Sequence, residues 1–123
     1  MPGTLSGILI LALPGRMLIS LRVLLKSLFP LVPVEQVEEA PLAVQRMGMG
    51  RKLLVLVDAD LPGEEGWRVG AEIQHNWPGQ HAVMLVHDGH QCERARTAGL
   101  DALPLEGMTA ATLADAFYDF LWE

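Results

Sequence analysis

A single α/β domain, five strands alternating with five helices that cover both faces of a parallel sheet, is predicted by three observations. Short unbroken apolar runs such as Leu53-Leu54-Val55-Leu56-Val57 recur along the chain, as strands buried on both faces require. The longer segments between them carry apolar residues at helical spacing. The chain has 123 residues, 50% of them apolar and 20% charged, which fills one core and is too short for a two-domain enzyme.

The first strand spans Gly7–Leu11. Its apolar run continues to Leu13, but no basic residue precedes it and Pro14-Gly15-Arg16 interrupts it. A membrane span needs ~20 apolar residues, so the run reads as a buried strand rather than a signal peptide or anchor. Met17, Leu18, Leu21, Leu24, Leu25 and Leu28 then mark the first helix, which Pro30 ends. A second strand is expected over Leu31–Val37 and a short helix over Pro41–Met47, released by Gly48 and Gly50. The third strand, Lys52–Val57, precedes a helix over Glu64–Asn76 that Trp77-Pro78-Gly79 stops. The fourth, His81–Val86, precedes a helix over Gln91–Ala98 with Gly99 as its C-cap. A short fifth strand at Ala102–Leu103 and a helix over Thr109–Trp122, N-capped by Thr109, complete the (βα)5 pattern. No linker, repeat or low-complexity segment divides residues 1–123, which read as one domain.

The charge balance narrows the function classes. Fifteen acids against 9 Lys and Arg give a net charge of −6, the wrong sign for binding a phosphate backbone, so nucleic acid is not an expected partner. Cys92 is the lone cysteine, which excludes an internal disulfide and a thiolate zinc cluster within one chain and suits a reducing cytoplasm.

In an open parallel sheet the chemistry gathers at the carboxyl ends of the strands. After the third strand comes Val57-Asp58-Ala59-Asp60-Leu61-Pro62-Gly63-Glu64-Glu65-Gly66-Trp67. This segment resembles the receiver domain of bacterial two-component response regulators, in which a phosphate-accepting aspartate ends strand 3 and x-x-[Leu/Met]-Pro-Gly-x-x-Gly follows. A second stretch, Ala98-Gly99-Leu100-Asp101-Ala102-Leu103, is similar to the Ala-Gly-Ala-Asp segment that leads the family into strand 5. Element order, spacing and length agree along the whole chain. The resemblance implies a flavodoxin-like three-layer sandwich with strand order 2-1-3-4-5, and Asp58 as the candidate phosphoacceptor.

It also implies where the chemistry is lost. A receiver holds Mg2+ with its aspartate, an acidic pair after strand 1 and a backbone carbonyl two residues past the acceptor. Magnesium takes oxygen ligands in a near-octahedral shell, so each missing carboxylate lowers affinity. Ala12 and Leu13 stand at the acidic-pair positions, Val86 at the position aligned with the family's Ser or Thr after strand 4, and Glu106 at that of its Lys after strand 5. A carboxylate in place of that Lys repels the group it should neutralise. Only Asp58 and the Asp60 carbonyl remain of the Mg2+ set. Arg16, in the loop after strand 1, is the candidate ion-pair partner for Asp58.

The histidines offer less. His81 and His87 bracket strand 4, ~20 Å apart and too distant to share a metal. His87, Asp88, His90 and Cys92 are close in sequence but match no recognised ligand spacing, so a polar loop is the preferred reading and no metal is expected. His75 and Trp77 suit capping or packing at the end of the third helix. Dinucleotide and Walker-type phosphate loops, a Gly-x-Ser-x-Gly elbow and the Ser/Thr/Gly-rich loop of a flavin binder are absent, and the chain is read as a non-enzyme.

Surface then carries function. Leu113, Ala116, Phe117, Phe120 and Leu121 form the core side of the last helix, with Tyr118 and Trp122 on its flank, while Ile19 and Val23 widen the apolar stripe of the first helix. In receivers these helices dock partners, so Tyr118, Trp122, Ile19 and Val23 are the expected interaction surface. The preferred reading is a degenerate receiver that acts as a cytoplasmic protein-interaction module and forms homodimers. Its partners are a histidine kinase or another signalling protein, with no membrane contact. No cofactor is expected. Mg2+ enters only under the alternative of a working receiver with an atypical site, in which Asp58 takes the phosphoryl group from a histidine kinase and Asp60 or Asp88 supplies part of the cation site. A further alternative is a small-ligand sensor using the emptied pocket, lined by Leu13, Asp58 and Val86.

Overall fold

The computed structural model describes residues 5–48, 50–77 and 79–121, of which 118–121 are described by backbone alone. One five-stranded sheet in the order β2-β1-β3-β4-β5 is built from β1 (Gly7–Leu11), β2 (Val34–Val37), β3 (Leu53–Asp58), β4 (His81–Val86) and β5 (Asp101–Pro104). Every strand pair is parallel. The helices are α1 (Arg16–Leu28), α2 (Ala40–Met47), α3 (Glu65–Asn76), α4 (Gly89–Thr97) and α5 (Ala110–Leu121), with a 3-10 turn at Pro62–Glu64 before α3. This is the parallel α/β class that the alternating pattern predicts, in the flavodoxin-like strand order 2-1-3-4-5 that the receiver resemblance implies.

Side-chain alternation along the strands sorts the apolar residues into two cores. Ile8, Ile10, Leu54, Leu56, Val83 and Leu85 face α1 and α5, whose Leu18, Leu21, Leu25, Leu113 and Phe117 close that layer. Leu9, Leu11, Val55, Val57, Met84 and Val86 face the opposite way, against Met47 of α2, Trp67, Val69 and Ile73 of α3, and Ala95 of α4. The direction of chain progression reverses at β1, so right-handed crossovers put α1 on one face and α2 to α4 on the other. Phe117 is fully buried and stacks on Phe29, ring centroids 6.0 Å apart, which fixes α5 over the end of α1. Burying a phenylalanine contributes about 1.5–3 kcal/mol.

Element boundaries depart from the sequence expectation in physically legible ways. β2 begins at Val34 rather than Leu31, because Leu31 is 95% exposed and Pro33 cannot donate to the ladder. α4 starts at Gly89 rather than Gln91, since the Asp88 carboxylate accepts the Gln91 N–H at 2.9 Å and caps the helix earlier. β3 extends through Asp58, and β5 spans Asp101–Pro104 instead of two residues. Thr109 behaves as expected: its hydroxyl accepts the Thr112 N–H while the Thr112 hydroxyl accepts the Thr109 N–H, a reciprocal cap on α5.

One glycine sets how closely α3 approaches the sheet. A Cβ added at Gly66 would strike the backbone carbonyl oxygen of Asp58, a contact with no flexible side chain to yield. Gly66→Ala is therefore expected to lower stability by about 1–3 kcal/mol, read as a shifted urea midpoint, because helix or strand end must move. An unchanged midpoint would mean that α3 does not rest on the end of β3.

Candidate functional site

The register of β3 against β4 builds the site. Asp58 pairs with Leu85, and Ala59 N–H continues the ladder to the Leu85 carbonyl at 3.0 Å. With a period of two, Asp58 follows Leu54 and Leu56 on the α1/α5 side, and His87 follows Val83 and Leu85 on that same side. The two side chains meet beyond the sheet. His87 Nε2 lies 2.7 Å from Asp58 Oδ1 and 3.5 Å from Asp60 Oδ2. The Asp58 Oδ1 also accepts the Asp60 N–H at 2.9 Å, an Asx turn that folds the loop back on its own carboxylate.

Gln91, in the first turn of α4, ties the arrangement together. Its side-chain carbonyl accepts the His87 N–H at 2.7 Å and its amide donates to Asp60 Oδ1. A second clamp lies further along α4, where the Arg94 guanidinium donates twice to the Glu64 carboxylate, at 2.7 and 3.1 Å, and sits 4.3 Å from the Trp67 ring centroid. Glu64 holds a left-handed backbone at φ 63°, unusual for a residue with a side chain. Arg94 keeps the Glu64 carboxyl below the usual carboxylate range, chiefly through this hydrogen-bonded pair.

Beside Asp58 opens a cavity of about 310 Å³, whose walls include Ala12, Leu13, Arg16, Leu85, His87 and Leu105. Ala12 is buried at the end of β1, with its N–H on the Val37 carbonyl and its own carbonyl accepting from Gln36. Leu13 is half exposed at the rim. The wall that faces Asp58 from β1 therefore carries no carboxylate.

Three expectations are corrected. Among the described residues the ion-pair partner of Asp58 is His87 and not Arg16, which lines the same cavity without reaching the carboxylate. Val86 does not line this pocket, because a one-residue offset turns its side chain to the opposite face, where it packs in the α2 to α4 core. Val86 and the exposed Glu106 instead border a separate cleft with Cys92. The side chain beyond β4 that reaches Asp58 is thus His87.

The other polar residues separate by role. Among the described residues the grouping able to hold a metal is Asp58, Asp60 and His87, one ligand atom of each lying within 4.8 Å of the others, and not the sequence-local set of His87, Asp88, His90 and Cys92. Asp88 caps α4 and Cys92 is exposed. His81 pairs with Asp101 at 2.7 Å at the far end of the sheet. Trp77 follows α3 as its C-cap, N–H on the Ile73 carbonyl, as its position suggests. On the outer side of α1, Ile19 and Val23 are exposed, whereas the Tyr118 side chain and Trp122 lie outside the described residues. No described helix is long and apolar enough to cross a membrane.

A double-mutant cycle checks the partner of Asp58. Asp58→Asn with His87→Ala is expected to show a coupling of about 1 kcal/mol in urea unfolding, since both side chains keep a quarter or so of their surface in water. Asp58→Asn with Arg16→Ala is expected to show coupling near zero. The reverse ranking would restore Arg16 as the partner.

Comparison with known proteins agrees with the architecture. No family model and no curated protein sequence matches the chain. Among solved structures, a response regulator from Chloroflexus aurantiacus is similar at TM-score 0.81 and 17% identity, with 98% of this chain and 100% of that one covered. The signal receiver domain of an HD domain-containing protein from Pseudomonas fluorescens is similar at TM-score 0.79 and 21% identity, over 98% of this chain and 90% of that one. A receiver domain protein described as CheY-like from Methanospirillum hungatei is similar at TM-score 0.73 and 22% identity, covering 96% and 94%. At these identities the likeness is one of fold, and the chain has the fold of a CheY-like receiver domain.

Proposed function

We propose that the chain is a degenerate receiver, a two-component signalling module that works through protein contacts and takes a phosphoryl group at Asp58 poorly or not at all. The observation that carries this reading is the state of the Asp58 carboxylate. It is held by His87 and the Asp60 N–H, and it faces an Ala12–Leu13 wall that offers a cation no oxygen side chain. Phosphoryl transfer depends on positioning and charge neutralisation, and a divalent cation supplies much of the latter. Glu106, exposed and acidic, adds no positive charge beyond β5. The structural likeness to response regulators and receiver domains supports a signalling role.

Incubation with acetyl phosphate and Mg2+ is expected to leave the intact mass of the protein unchanged at stoichiometric level, with Asp58→Asn indistinguishable from it. A full adduct that Asp58→Asn removes would establish a working receiver instead.

With the reactive edge quiet, the outer side of α1 is the surface offered to partners. Ile19 and Val23, one turn apart, are 64% and 62% exposed. Arg16, Arg22 and Lys26 share the helix, which carries no acidic residue. A second copy of the chain docking here is the proposed homodimer. The paired change Ile19→Asp and Val23→Asp is expected to abolish self-association in sedimentation velocity. Stability should shift by no more than about 0.5 kcal/mol, because neither residue belongs to the core. A wild-type chain that stays monomeric at high concentration would remove the dimer.

A further inference from the structure

We propose that the outer side of α1 of one copy docks into an acidic cleft at the carboxyl edge of a second copy, so that self-association joins two unlike faces of the chain. The proposal rests on the homodimer reading given above and names the surface that receives α1.

Arg16, Ile19, Val23 and Lys26 follow one another at intervals of three, four and three residues, which sets them in one line along α1, and all four are exposed. The line is two apolar side chains with a cation at either end. α1 carries no acidic residue. Among the described residues Arg16, Arg22 and Lys26 enter no ion pair, whereas Arg46, Arg94 and Arg96 each have a carboxylate partner. Two α1 helices packed on each other would set cations against cations with no acid from either helix between them, and like charges across an interface are strongly disfavoured. A second copy that covers Ile19 and Val23 must therefore bring an acidic face.

Such a face lies past the ends of β1, β2 and β3. Leu13 after β1, Glu38 and Glu39 after β2, and Leu61, Pro62 and Glu65 after β3 border a cleft of about 390 Å³. Its lining holds three carboxylates and no cation. The Glu65 carboxylate is engaged, accepting the Ala40 N–H at 2.9 Å, but Glu38 and Glu39 are exposed and enter no ion pair among the described residues. Leu13 adds a half-exposed apolar side chain. The volume is in the range of ordinary ligand pockets, so it seats inserted side chains rather than a whole helix. Other carboxylates are less available: Glu35, Glu64 and Glu93 are already paired, and in the cleft beside Cys92 Asp88 caps α4, leaving Glu106 alone. In the docked pair Ile19 and Val23 meet the apolar walls, while Arg16 and Lys26 meet Glu38 and Glu39. The charges select the partner face and fix its register, and the apolar side chains supply most of the affinity. Because the two faces differ, the contact is heterologous.

Sedimentation velocity of the full chain tests the pairing with two variants, each altered on one face. Glu38→Lys with Glu39→Lys reverses the cleft and leaves α1 intact. Ile19→Asp with Val23→Asp spoils α1 and leaves the cleft intact. Each alone is expected to self-associate at least tenfold more weakly than the wild type. When the α1 variant carries a fluorophore and is mixed with the cleft variant, it is expected to sediment faster, because the intact α1 of one chain fits the intact cleft of the other. Circular dichroism shows whether each variant is folded; Glu65 is left unchanged because it caps α2, and Glu38→Lys alone serves if the double change unfolds the chain. A cleft variant that self-associates as the wild type does, or a mixture in which the labelled chain stays monomeric, would overturn the proposal and leave the homodimer at α1 standing. A wild-type chain that is monomeric at high concentration would remove both.

Discussion

The pairing of Asp58 with Leu85 is the constraint on which the carboxyl edge of the sheet depends. Parallel strands buried on both faces have little freedom of register, because a slip of one residue would exchange the two cores. Leu54 and Leu56 must face α1 and α5 while Val55 and Val57 face α2 to α4. Once that is satisfied, the residues just past the strands are assigned to sides without further choice. Asp58 and His87 fall on one side, Val86 on the other. The hydrogen bond between the aspartate and the imidazole is a consequence of core packing several residues away.

From that bond the polar network spreads into α4. Gln91 joins His87 to Asp60, and Arg94 joins α4 to Glu64 and Trp67. These contacts are partly or largely exposed, and each contributes modestly in water. Their collective effect is positional: the loop after β3 and the start of α4 are stitched at two levels one helical turn apart. A rearrangement at Asp58 would reach α4 through Asp60 and Gln91, whereas α1 meets the site only through cavity walls such as Arg16 and Leu18.

The high apolar content of the chain has more than one destination. Most of it fills the two cores, yet Ala12, Leu13 and Leu105 line the cavity beside Asp58, and Ile19 and Val23 face solvent on α1. Single exposed apolar residues are ordinary. Ile19 and Val23 form an exposed pair one turn apart on the outer side of α1, while Leu31, before β2, is exposed elsewhere on the domain.

The order of elements, the two-sided burial of the strands and the strand-end position of Asp58 were legible in the amino-acid sequence, because local periodicity and turn chemistry encode them directly. Leu53 to Val57 cannot be anything but a covered strand in this context, and the Pro62-Gly63 turn with Gly66 signals the tight entry of α3 onto it. The exact partner of Asp58 was not legible. Arg16 is the more obvious cation, but its backbone position after β1 leaves it on the cavity wall, while His87 is brought in by a register that only the assembled sheet defines. The same holds for Gln91, an unremarked polar residue in the sequence whose two hydrogen bonds come from the cap at Asp88 that starts α4 early. Sequence by itself determined which residues lie at the carboxyl edge. Tertiary structure decided which of them touch, because contact across strands 29 residues apart depends on register and side-chain parity, quantities that no local pattern carries.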